Sequence, residues 1–332
     1  MSTRLPVPVI LLVSALALAG GIVASLTIGA RSVPVGEVWA ALTTAADSTS
    51  ADVVRSRIPR TVLAVAVGAA LAVAGAAMQG MTRNPLADPG ILGLNAGAAF
   101  AVVAAIQLFS IGSVLGFASA AFLGAGVAAV AVYVIASLGR AGATPVRLAL
   151  AGAGLSAALS AATSAILLTN NTAIGQFRFW QVGVLGARSV RDVLLILPLM
   201  LAGAAVIAGS ARLLNTLALG DDSAAGLGIS VARGRILLGA GAVLLAGSAT
   251  ALAGPIAFVG LVVPHAVRLL VGGDYARIIA LSALLGPVLL LVADTVGRVI
   301  APPAEVQVGV MTAVIGAPVF IALIRSGRQV GL

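Results

Sequence analysis

Apolar residues in this chain come in long unbroken runs. They recur at about 6–28, 61–80, 91–109, 113–137, 147–168, 193–210, 236–253, 255–271, 277–297 and 307–324. A helix needs roughly 20 apolar residues to cross about 30 Å of hydrocarbon, so the pattern predicts about ten transmembrane helices. A transmembrane barrel would instead show segments of about 10 residues with dyad alternation. The first run, Leu5 to Ala30, is about twice as long as the apolar core of a signal peptide and is read as the first span. No linker or polar domain interrupts the series, so residues 1–332 are read as a single all-α, polytopic transmembrane domain.

Composition agrees and narrows the function. Hydrophobic residues make up 61% of the chain and charged residues 9%, a balance that a soluble protein could not carry without large apolar patches facing water. The 40 glycines suit helices packed closely through small-residue faces. The net charge is +9, but all 19 basic residues are arginines, set singly in loops without a basic stripe or interleaved aromatics, so nucleic acid is not the partner. Absence of lysine excludes a Walker A loop, whose lysine sits on the nucleotide phosphates, and the chain is not itself an ATPase. Absence of cysteine excludes disulfides and thiol chemistry.

With the N-terminus assigned to the cytoplasm, eleven arginines fall inside, Arg4, Arg140 and Arg328 among them, and eight outside. Most of the outside set lies in two long loops, which weigh less in the positive-inside rule. Both termini are therefore expected on the cytoplasmic side of a plasma (inner) membrane.

Few residues could carry chemistry. Asp294 is the one acidic residue clearly within an apolar run; intramembrane carboxylates mark coupling sites in ion-driven carriers, but Arg298 follows four residues later and the spacing equally predicts an ion pair on one helix face. His265 is the only histidine, with no second ligand for a metal and no serine motif beside it. No catalytic residue and no metal site is expected.

The polar turn after the second run is more informative. Arg83-Asn84-Pro85-Leu86-Ala87-Asp88-Pro89 places two prolines, an arginine and an aspartate between two apolar runs. It belongs to a longer pattern through Gly68, Leu71, Ala72, Gly75, Gln79, Arg83, Asn84, Pro85, Leu86, Pro89 and Gly93. That pattern resembles the permease subunits of ABC importers for iron-siderophore, haem and cobalamin. A C-terminal stretch with Pro264, His265, Arg268 and Asp294 is similar to the same permeases, so that the resemblance runs from about Arg57 to Arg325. Two positions depart from it: Gln307 stands where the family usually has proline, and Tyr275 where it usually has histidine.

The resemblance implies an all-helical type II importer permease that moves a metal chelate inward. Its partner in the membrane would be a second copy of itself or a homologous permease. Two cytoplasmic ATPase subunits would carry the ATP and Mg, leaving no cofactor in this chain, and an extracytoplasmic substrate-binding protein would deliver the cargo. Leu219, Gly220, Ala224, Leu227 and Gly228 match the family's coupling helix, which docks on the ATPase. Arg57, Arg60 and Arg298 match arginines that receive acidic residues of the binding protein. An ion-coupled secondary transporter is the alternative.

Overall fold

The computed structural model describes residues 6–44, 48–138, 143–186, 188–302 and 304–325; both termini, with Arg4, Arg140 and Arg328, lie outside the described residues. Among these residues the chain forms fourteen α-helices and no strand. In order they are α1 (Val7–Thr27), α2 (Val35–Thr43), α3 (Thr49–Thr82), α4 (Leu94–Phe109), α5 (Val114–Ser137), α6 (Pro145–Thr169) and α7 (Asn171–Gln181). Then follow α8 (Val190–Gly209), α9 (Ala211–Ala218), α10 (Asp221–Gly226), α11 (Val231–Ala253), α12 (Val259–Val271), α13 (Tyr275–Val299) and α14 (Val308–Arg325). A 3-10 turn, Pro89–Leu92, precedes α4.

Each apolar run becomes a helix, but not each is membrane-length. Seven helices (α1, α3, α5, α6, α8, α11 and α13) are long and apolar enough to cross, whereas α4, α12 and the apolar part of α14 are shorter. For α12 the reason is local: the run begins at 255, yet residues 254–257 are not helical, and the helix starts only after Phe258, whose φ is 70°. Phe258 packs against Gly316, two turns into α14, so α12 begins inside the bundle. Irregular backbone at that depth is tolerated only where protein covers it, and Gly254 and Ile256 are buried.

The opposite correction applies to α3. Its apolar run starts near 61, but the helix starts at Thr49, where the Ser48 hydroxyl accepts the Ala51 N–H at 3.1 Å and caps the first turn. Its 34 residues span about 51 Å, well beyond the hydrocarbon thickness. Every residue from Ala70 to Thr82 is buried. A helix apolar all round belongs at the centre of a bundle, and α11, α12 and α13, with α8, α2, α1 and α9, surround α3.

Small residues set how closely they approach. A Cβ added at Gly75 would run into the carbonyl oxygen of Gly260 on α12, and one at Gly68 would meet the backbone of Gly286 and Pro287 on α13. In lipid there is no hydrophobic drive between helices, so such close backbone approach carries the packing.

Gly75→Val is expected to destabilise the bundle by about 1–3 kcal/mol or more, because the obstruction is backbone and cannot move aside. Gly154→Ala, where an added Cβ meets nothing within 4 Å in the interior of α6, should be neutral to slightly stabilising. Thermal unfolding of the two variants in detergent checks the contrast; equal midpoints would mean that α3 and α12 adjust freely.

Candidate functional site

The motif turn closes α3 with a left-handed residue. Arg83 has φ 51° and ψ 36°, its N–H reaches the Gly80 carbonyl, and the next N–H, from Asn84, reaches the Gln79 carbonyl at 3.2 Å. This is a Schellman closure that uses arginine where glycine is usual. The Asn84 Oδ1 then accepts the Leu86 N–H at 2.9 Å, and the Asp88 Oδ1 accepts the Gly90 N–H at 2.8 Å. Two side-chain-closed turns deliver buried Pro89 into the 3-10 turn, and Gly93, with φ 73°, starts α4.

The segment from Leu219 to Gly228 forms beside that turn. Gly220, at φ 111°, breaks α9 from α10, and Gly228, at φ 80°, ends α10 with a second Schellman closure: the Gly228 N–H donates to the Ala225 carbonyl at 2.9 Å and the Ile229 N–H to that of Ala224 at 3.0 Å. Ala224 is buried beneath, whereas Leu219 and Leu227 are each 67% exposed. Two leucines flanking a short, tightly tied helix give this end of the bundle an exposed apolar surface.

One carboxylate ties the turn to this segment. Asp221, in the first turn of α10, lies 3.4 Å from the Arg83 guanidinium and accepts from the Arg235 Nη2 with both oxygens at 3.0 Å. Arg235, on α11, is buried and also donates to the Ala143 carbonyl at 3.2 Å. The two arms differ in weight. Arg83 and Asp221 are 38% and 35% exposed, and such pairs contribute under about 1 kcal/mol. Arg235 is 7% exposed, so its charge depends on Asp221 far more. Asp221 and Arg235 were not singled out in the sequence. The clue was available, two acidic residues inside an otherwise uncharged segment, but their partners lie 14 and 138 positions away.

Two further motif residues meet in the interior. Pro264, in α12, has no N–H to give to the Gly260 carbonyl four residues earlier. The Gln79 side chain, fully buried on α3, donates Nε2 to Gly260 at 3.4 Å and to Leu261 at 3.1 Å instead. His265 packs edge-on to Phe320, with ring centroids 6.4 Å apart, and joins no metal-ligand cluster among the described residues. Arg268 is buried, donates to the Tyr275 hydroxyl at 2.9 Å and stands over the Tyr275 ring. Tyr275 itself receives support from Asn215, whose Oδ1 accepts its N–H at 2.9 Å. The tyrosine departure is thus accommodated by contacts to its hydroxyl, ring and N–H.

At the other end of α3 the expectation of three arginines facing water requires correction. Arg57 is 8% exposed and donates to the Leu26 and Thr27 carbonyls at 2.8 and 3.1 Å and to that of Arg31 at 2.6 Å. Arg298 is 2% exposed and donates to the Ser25 carbonyl at 3.0 Å and hydroxyl at 3.1 Å. Both therefore satisfy the orphan carbonyls at the C-terminus of α1, where a cation also suits the helix dipole. Asp294 sits between Arg298, at 3.2 Å, and Arg60, at 2.8 Å, and Arg60 reaches Glu305 at 2.6 Å. The i,i+4 pair is present, and Asp294, 1% exposed, is engaged by two guanidinium groups. Arg60 and Arg83 stand 23 residues apart on one helix, about 35 Å, so the two charged clusters occupy opposite ends of the bundle.

The sequence pattern of the FecCD transport family matches residues 10–326. The chain belongs to the FecCD transport family. The ferric enterobactin transport system permease protein of Escherichia coli (strain K12) is 45% identical over 309 residues, 92% of this chain and 92% of that protein. The cobalamin import system permease protein of Halobacterium salinarum is 42% identical over 315 residues, 91% of this chain and 84% of that protein. Among solved structures, an inward-facing metal-chelate type ABC transporter aligns with a TM-score of 0.85 at 30% identity, covering 96% of this chain and 99% of that one. Membership of the FecCD family bears out the resemblance carried by the motifs at 68–93 and 264–294.

Replacing Asp221 by Ala leaves Arg235 buried without its anion, a loss of about 3–5 kcal/mol for a fully buried pair and less here because Asp221 is partly exposed. Thermal unfolding should show a clearly larger drop for Asp221→Ala than for Arg83→Gln. Similar drops would assign the node to Arg83. Asp294→Asn leaves buried Arg298 without a carboxylate and Arg60 with Glu305 alone, and should lower stability by about 3–5 kcal/mol. Adding Arg298→Met to Asp294→Asn should recover part of that, as double-mutant unfolding would reveal.

Proposed function

We propose that this chain is the membrane-spanning permease of an ABC importer for a metal chelate, of the iron-siderophore, haem or cobalamin class that the relatives' names describe. It works as a dimer with a second copy or a homologous permease, and is served by two ATPase subunits and a substrate-binding protein. The observation that carries the reading is the Asp221 node. It joins the Arg83-Asn84-Pro85 (RNP) turn at the end of the central helix to a short helix flanked by exposed Leu219 and Leu227. A partner that grips those leucines and rotates or shifts α10 would pull directly on α3 through Arg83 and on α11 through Arg235. ATP and Mg belong to that partner, and the face bearing α10 is the cytoplasmic one.

Binding-protein docking falls to the opposite rim. Arg57 and Arg298 support that rim from within by capping α1, and Arg60 presents Glu305, which is 39% exposed, at its edge. The secondary-transporter alternative has no observation in its favour. The carboxylate it would use, Asp294, is held by Arg60 and Arg298.

Leu227→Asp tests the reading. A carboxylate at an apolar docking contact typically weakens it by several kcal/mol, so the ATPase subunit should no longer co-purify, while membrane insertion and the thermal midpoint of the permease stay unchanged because Leu227 is exposed. Uptake of the chelate should disappear with it. Co-purification at wild-type levels would remove α10 as the coupling element.

A further inference from the structure

A groove of about 490 Å³ opens between α5 and α11, floored by α3 and the 3-10 turn. Its walls are apolar, with Met81, Phe122, Tyr133, Leu148, Ile236 and Val243 among them, and Arg235 is the one charged residue lining it among the described residues. Two of its lining residues are glycines, Gly126 and Gly239, at which an added Cβ meets nothing within 4 Å. The space is therefore not closed by side chains from either wall. The flanking residues Val130 and Ile236 are 64% and 53% exposed, which places the opening toward the surroundings of the bundle.

The dimensions select the occupant. Along α11 the lining runs from Arg235 to Leu244, nine residues or about 14 Å, close to half of the roughly 30 Å hydrocarbon core. The groove begins at the level of Met81, two residues before Arg83, and so lies in the half of the bundle nearest α10. It is as long as one leaflet is deep and runs parallel to the helices, as acyl chains do. At its polar end, Arg233 is exposed one turn beyond Ile236 and on the same face of α11, since residues three apart on a helix are neighbours. Cations at that level attract anionic headgroups.

We propose that this groove is a phospholipid site: an acyl chain of an anionic phospholipid from the leaflet next to α10 fills it, with the headgroup phosphate at Arg233. The lipid would then brace α5 against α11 beside Arg235, the residue that anchors Asp221 of the coupling segment. This goes beyond the importer reading and does not depend on which partner docks on α10.

The test uses the full chain, purified in mild detergent and stripped of lipid, then titrated with dioleoyl phosphatidylglycerol or dioleoyl phosphatidylcholine under native mass spectrometry. Wild type should take up one phosphatidylglycerol per chain that persists at collision energies removing all others, with about tenfold preference over phosphatidylcholine. Gly126→Leu and Gly239→Leu, each growing into open space, should lose that lipid while keeping the wild-type thermal midpoint. Arg233→Gln should keep a lipid but lose the preference. Wild type holding the two lipids equally, or both leucine variants holding phosphatidylglycerol as wild type does, overturns the proposal; the first comparison needs no variant and stands even if the substitutions disturb folding.

Discussion

Hydrocarbon offers no hydrogen bonds, and that constraint shapes every irregular feature of this bundle. Each polar group left over by a proline, a helix end or an ionised side chain must find its partner within the protein. The Gly260 carbonyl, deprived of its usual donor by Pro264, takes one from Gln79 on the neighbouring helix. The carbonyls that end α1 take theirs from Arg57 and Arg298. Arg188 does the same for α11, donating to the Leu252 and Ala251 carbonyls at 2.8 and 3.2 Å. Arginine suits these positions because its several donors fan out in one plane and its charge is permanent.

The same constraint makes α3 an axis. Buried on all sides through its second half, it cannot slide without breaking close backbone contacts at Gly68 and Gly75. Densely packed elements of this kind switch between discrete arrangements instead of deforming gradually. At one end it is fastened by Arg60 to α13 and the 304–306 segment, and at the other by Arg83 to α10. A displacement of α10 is thereby presented to the far rim through a single helix about 51 Å long. The exposed Arg83 arm is the weak link and the Arg235 arm the strong one, so α10 is tied more tightly to α11 than to α3.

Much of this was legible in the chain itself. Apolar run length located every long helix, because hydropathy reports the thickness of the medium a segment must cross. The i,i+4 spacing of Asp294 and Arg298 predicted their ion pair, since helix geometry makes such residues neighbours whatever surrounds them. Glycines bounding Leu219–Gly228 marked a short tied segment, and the RNP turn announced itself by its prolines.

Other features were decided only by the tertiary structure. Apolar composition at 255–258 reads as helix, yet packing against α14 and the positive φ at Phe258 delay α12 until 259. Arg57 and Arg298 read as surface charges because a run of loop residues gives no sign of which helix end lies within reach; the carbonyls they cap belong to residues 25–31, some 30 and 270 positions away. Gln79 and Pro264 were each visible as motif residues, but their complementarity, a donor supplied where one is missing, exists only once α3 and α12 touch. The sequence by itself thus determined which segments enter the membrane and where the chain turns, because those depend on local composition and backbone preference. Which polar groups satisfy one another was left to the fold, because in a medium without water that pairing is a property of distances between helices.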